Sequence, residues 1–97
     1  MYQMEMVMAG MVVERVQTGI RIEKRILKVL KALAEHGDIT LGDLVEGIVL
    51  HAFEGKTPFS PATLEVIAQL KAIYGLDLDA GASHKLTERG EGEGGRG

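Results

Sequence analysis

Between Arg15 and Phe53 the hydrophobic period changes from two residues to about three and a half, which limits this stretch to one extended segment followed by helices. Val16, Thr18, Ile20 and Ile22 fall on one side of the two-residue repeat, and Arg15, Gln17, Gly19 and Arg21 fall on the other. The alternation predicts a short strand. Its row of backbone donors and acceptors needs a partner, and no second strand of comparable quality follows in the chain. The expected partner is a second copy, paired antiparallel across a two-fold axis. Such a ribbon buries the Ile20 and Ile22 side on the helices and presents Arg15, Gln17 and Arg21 twice on its outer face.

The helical repeat that follows predicts a helix over Glu23–Glu35, with Ile26, Val29, Leu30 and Leu33 on its buried face, Leu27 and Ala34 widening it, and Gly37 ending it. Asp38 or Thr40 is expected to cap the next helix, Leu41 to about Phe53. That helix repeats the spacing with Leu41, Leu44, Val45 and Ile48 and adds Val49, Leu50, Ala52 and Phe53, so little of its circumference is polar. A helix apolar nearly all round is expected to be buried by more than its own chain. Gly47 inside it costs about 1 kcal/mol relative to alanine, which suggests a close approach of another backbone at a dimer axis. Thr18, Ile20, Ile22, Leu44, Val45, Gly47 and Ile48 are therefore the expected dimer interface.

Residues 54–59 read as a connector, and Ser60-Pro61 as the start of a third helix over Pro61–Tyr74, closed by Gly75. Leu64, Ile67, Ala68, Leu70, Ile73 and Tyr74 are its inward candidates. It could cap the apolar end of the second helix, extend the dimer, or bind a separate protein partner. The chain divides into an N-terminal extension (1–11, read as flexible), a core (12–54), a connector with the third helix (55–79) and a glycine-rich tail (80–97). The tail is too polar to offset its ordering entropy and is expected to be disordered from Glu88 onward.

The order of strand, helix, glycine-containing turn and helix, with polar side chains alternating on the strand, resembles the ribbon-helix-helix family of the Arc and methionine repressors, over about forty of the 97 residues. The resemblance implies a mainly α homodimer with an intermolecular two-stranded antiparallel β-ribbon, here with a third C-terminal helix added. It implies double-stranded DNA as partner, read in the major groove by the outward strand residues, with the start of the second helix holding a phosphate. Carried over residue by residue, it points to Gln17, Gly19 and Arg21 for base reading and to Thr40, Leu41 and Gly42 for the phosphate anchor. Arg15, at the ribbon's edge, is the expected backbone contact. Gly19 offers no side chain at the central reading position, and Gly42 stands where a hydroxyl or amide residue is common in the family.

Charge bears on the same question. The formal net charge is -3, against the need for cations on phosphate. Its distribution is uneven. Residues 12–36 hold six basic side chains against three acidic, a net of +3, and residues 37–80 hold two against seven, a net of -5. Lys24, Lys28 and Lys31 read as an ordinary solvated stripe; Arg15 and Arg21 do not. Aromatic residues make up 4% of the chain and there is no tryptophan, so the core must be aliphatic.

There is no cysteine, which suits a reducing cytoplasm and excludes thiolate metal sites. No apolar run approaches the roughly 20 residues of a membrane span, and Met1–Val13 lacks the basic lead of a signal peptide. Translation starting at Met8 or Met11 is compatible with the pattern. His36, His51 and His84 lack metal-ligand spacing, and Asp77 and Asp79 lack the rest of a calcium loop. No cofactor and no enzymatic activity are expected. The reading that emerges is a dimeric DNA-binding transcriptional regulator, repressor-like and cytoplasmic. Its rival is a dimeric interaction module, antitoxin-like or scaffolding, that uses the same fold without specific DNA binding.

Overall fold

Local capping chemistry sets the three helices of this protein, whose computed structural model describes residues 11–89. They are α1 (Lys24–Gly37), α2 (Leu41–Phe53) and α3 (Pro61–Tyr74), followed by a single 3-10 turn at Ala80–Ala82. Glu23 caps α1, its Oε1 accepting from the backbone N–H of Arg25 at 2.8 Å and of Ile26 at 3.0 Å. Thr40 caps α2 by accepting from Asp43 N–H at 3.0 Å, and Ser60 caps α3 by accepting from Thr63 N–H at 3.2 Å. Pro61 sits where its missing N–H costs nothing.

All three helices end in the same way. A residue in the left-handed region turns the chain, and the N–H after it reaches back five residues: Ile39 to Ala34 O at 3.0 Å, Lys56 to His51 O at 2.8 Å, Leu76 to Lys71 O at 2.8 Å. Gly55 (φ 71°) and Gly75 (φ 66°) take that conformation without strain. After α1 it falls on Asp38 (φ 58°), because Gly37 remains helical and the helix runs two residues past the expected Glu35. Aspartate is among the few residues that tolerate this region.

The buried residues of the described chain are Val29, Leu33 and Ala34, all on α1. α1 contacts both α2 and α3, more extensively α3, whereas α2 and α3 do not touch. The capping glutamate also organises this packing. Glu23 Oε2 accepts from Arg25 Nε at 2.9 Å, and Arg25 Nη1 donates to Gly75 O at 2.9 Å and to Asp77 Oδ1 at 3.1 Å. The start of α1 is thereby tied to the end of α3. Lys28 adds its ammonium 5.8 Å from the centre of the Tyr74 ring.

The β-ribbon expected from the alternation over Val16–Ile22 is overturned: the secondary structure of the described residues is all helix, with no strand and no sheet. Residues 11–22 run outside any helix and make no backbone–backbone hydrogen bond among the described residues. Alternation alone supplies one half of a ladder. Thr18 and Ile20 are exposed rather than buried beneath a ribbon, and Ile22 is only half-covered.

The third helix lies on α1 instead of capping α2. Thr63, Val66, Ile67 and Leu70, at i, i+3, i+4 and i+7, are its half-covered stripe, and Leu64, Ala68, Ile73 and Tyr74, expected inside, are exposed. Gly47 marks no close approach within the chain, since a Cβ added there meets nothing within 4 Å. In the tail, Asp79 caps the 3-10 turn and Glu88 forms an ion pair with Arg21. The readings made for residues 1–10 and 90–97 lie outside the described residues.

With the core confined to one helix face, Leu33, 6% exposed, should be the most sensitive position. Leu33→Ala is expected to cost about 2–5 kcal/mol in urea unfolding, most of what a domain this small has to lose. An unchanged midpoint would place the core elsewhere.

Candidate nucleic-acid interface

Arg15, Gln17, Gly19 and Arg21, singled out for DNA contact, stand on the extended segment before α1, where nothing covers them. Every residue from Met11 to Arg21 is exposed, including Arg15, Gln17, Gly19 and Arg21. Both arginines are engaged at their tips. Arg15 forks onto Glu46 of α2, Nε to Oε2 at 2.7 Å and Nη2 to Oε1 at 2.8 Å. Arg21 forks onto Glu88 beyond the 3-10 turn, Nε to Oε1 at 3.1 Å and Nη2 to Oε2.

These are the same paired donors that a guanidinium turns toward a phosphate or a guanine edge. Pairs of this kind in open solvent are weak and screened by salt. Side-chain exposure is 65% for Arg15 and 77% for Arg21. The arrangement is therefore an open, arginine-bearing segment whose anion positions are filled from within the chain.

The start of α2 is less open to an anion than its position suggests. Thr40 Oγ1 is committed to capping Asp43 N–H, and the carboxylate of Asp43 occupies the first turn, where it already answers the positive end of the helix dipole. Leu41 is half-covered and Gly42 exposed, with nothing within 4 Å of a Cβ built on Gly42. The structure thus places the three anchor residues together but next to a negative charge.

The residues expected at a dimer interface divide. Leu44, Val45, Gly47 and Ile48 are half-covered on α2; Thr18 and Ile20 are exposed, Ile20 at 77%. No residue of α2 is buried, although its sequence is apolar nearly all round. Between α2 and the extended segment lies an open cleft of about 530 Å³ lined by Met11, Val13, Val45, Val49 and Leu50, with Arg15 and Glu46 at its edge. Phe53 continues this surface at 81% exposure. His51 stands apart from it, its Nδ1 2.7 Å from Gly47 O.

Two participants have no local signature in the sequence. Glu46 is 31 residues from Arg15 and Glu88 is 67 from Arg21, so no spacing rule connects them. Only the excess of acid after residue 37 hinted that the basic segment would find carboxylates within its own chain. Among the described residues no group of three or more acidic or histidine side chains could hold a metal ion, and no helix is long and apolar enough to cross a membrane.

The Arg15 fork and its charge hold the Glu46 carboxyl below its ordinary value of 4.5. For Glu23, desolvation pushes upward, but the Ile26 N–H and Arg25 outweigh it and the result is also a lowered pKa. A depressed carboxyl stabilises the fold above its unfolded-state pKa and loses that contribution as pH falls through its folded-state value, so both contacts should release only in acid. An NMR titration is expected to find Glu46 protonating below 4.5 and returning toward it in Arg15→Ala. A midpoint indifferent to that substitution would remove the pairing.

No family model, no curated protein and no solved structure matches this chain.

Proposed function

We propose that this chain is a homodimeric DNA-binding protein, acting as a transcriptional regulator in the cytoplasm, whose extended segment 11–22 meets the duplex. The observation that carries the proposal is that segment's state: it is uncovered, its backbone groups are unpartnered among the described residues, and it holds Arg15, Gln17 and Arg21 directly before the basic α1. Arg21 supplies the forked contact to guanine or phosphate, Gln17 a contact to adenine or phosphate, and Arg15 a backbone contact. Lys24, Lys28 and Lys31 on α1 add the sequence-independent attraction. Self-association doubles this local charge and covers the open apolar side of α2, which α1 and α3 leave bare.

A second reading is favoured by a specific observation. The apolar cleft beside α2, with Leu50 at 63% and Phe53 at 81% exposure, suits a protein partner as well as a second copy. In that reading the chain is an interaction module, the forks to Glu46 and Glu88 are the arginines' resting partners, and α3 with its exposed Leu64 and Ile73 offers a further docking face.

Salt-titrated binding to a random-sequence duplex separates the two. The DNA-binding protein is expected to bind with an affinity that falls steeply as salt rises. Arg21→Ala should weaken binding to a preferred sequence by roughly 5- to 150-fold for each fork removed, whereas Lys28→Ala should weaken all sequences slightly and alike. Binding to no duplex at any salt would leave the interaction module. Self-association has its own measurement: sedimentation should give a dimer at micromolar concentration, and Phe53→Asp should give a monomer of unchanged helicity. A folded wild-type monomer at that concentration would remove the dimer.

A further inference from the structure

The chain beyond α3 does not run away from the fold; it is turned back onto the segment proposed to meet DNA. Three features steer it. Arg25 of α1 holds Gly75 O and Asp77 Oδ1, which fixes the departure from α3 beside the start of α1. Asp79 Oδ1 accepts from Gly81 N–H at 3.0 Å to cap the 3-10 turn, and Lys85 N–H returns to Ala82 O at 3.0 Å. His84 follows at φ 67°, in the left-handed region that histidine is among the few non-glycine residues to visit. The result is that Leu86, Thr87 and Glu88 face Ile20, Arg21 and Ile22 across a cleft of about 560 Å³, and Glu88 forks onto Arg21.

We infer that residues 83–88 form an autoinhibitory strap, in which the Glu88 carboxylate occupies the guanidinium of Arg21 and must be displaced before that side chain can take an anion of DNA. The inference rests on the proposed DNA reading and adds its regulation. The chemistry is competition between anions for one fork. Carboxylate and phosphate use the same two N–H donors, so occupation by one excludes the other. The strap is weak by construction: the ion pair is exposed, at 77% for Arg21 and 52% for Glu88, and Leu86 is itself exposed at 51%. A latch of that strength lowers DNA affinity without abolishing it. It discriminates against isolated weak encounters, because a duplex that engages several cations at once displaces it and a single phosphate does not.

The test compares Glu88→Gln with Glu65→Gln, which removes the same charge from an exposed position on α3. Binding is measured against a random-sequence duplex at one fixed salt concentration. Glu88→Gln should bind about 1.5- to 5-fold more tightly per chain than Glu65→Gln, the worth of an exposed ion pair, and the gain should vanish in the Arg21→Ala background. In the free protein, trypsin should cut after Lys85 faster in Glu88→Gln than in wild type. Equal affinity of the two glutamine variants, with Arg21→Ala still weakening binding, would overturn the strap and leave the DNA reading standing. Unchanged cleavage at Lys85 would likewise show that Glu88 does not hold the segment. If no variant binds duplex DNA, the DNA reading falls, and the strap's inhibitory role falls with it whatever trypsin reports.

Discussion

One helix face holds this molecule together. Val29, Leu33 and Ala34 of α1 are the buried residues of the described chain, and both other helices pack on α1 rather than on each other. At about 25 cal/mol per Å² of apolar surface removed from water, three aliphatic side chains give limited driving force against the entropy of ordering a chain of this length. The capping and clamping at the start of that helix are correspondingly important. Glu23 begins α1 and grips Arg25, and Arg25 grips the end of α3.

The other face of the same constraint is α2. Its residues are apolar enough for an interior, yet none is buried, because α1 offers it one side and α3 none. An apolar helix left bare carries a free-energy penalty that a covering surface would relieve. This is the physical reason to expect association, and it is independent of what the assembled protein then binds. The segment ahead of α1 shares the condition, with Val12, Val16 and Ile20 all exposed.

Much of the helical framework was legible in the sequence because it is written locally. Thr40, Ser60-Pro61 and Gly75 fix helix ends by bonds that span three to five residues, and α2 and α3 lie where those signals put them. What failed was what depends on distant residues. Alternation over Val16–Ile22 describes a side-chain pattern, and a strand additionally requires a ladder, which the described chain does not supply. The inward face of α3 was legible only in part: Ile67 and Leu70 lie on it, but several of the helix's stripes are apolar, and only contact with α1 selects the one through Val66, Ile67 and Leu70. Arg15 and Arg21 stand out in the sequence by their placement alone. Their carboxylate partners do not, since they arrive from other parts of the fold.

The separation of α2 from α3 carries an energetic consequence of its own. Two elements that share no contact influence one another chiefly through the element that both pack on, here α1. Substitutions on the outer side of α2 and on the outer side of α3 should therefore sum, with coupling energies near zero in a double-mutant cycle. Pairs that include Val29 or Leu33 should depart from additivity. In this sense the fold is two nearly independent half-domains sharing one wall, and each can drift in sequence without consulting the other.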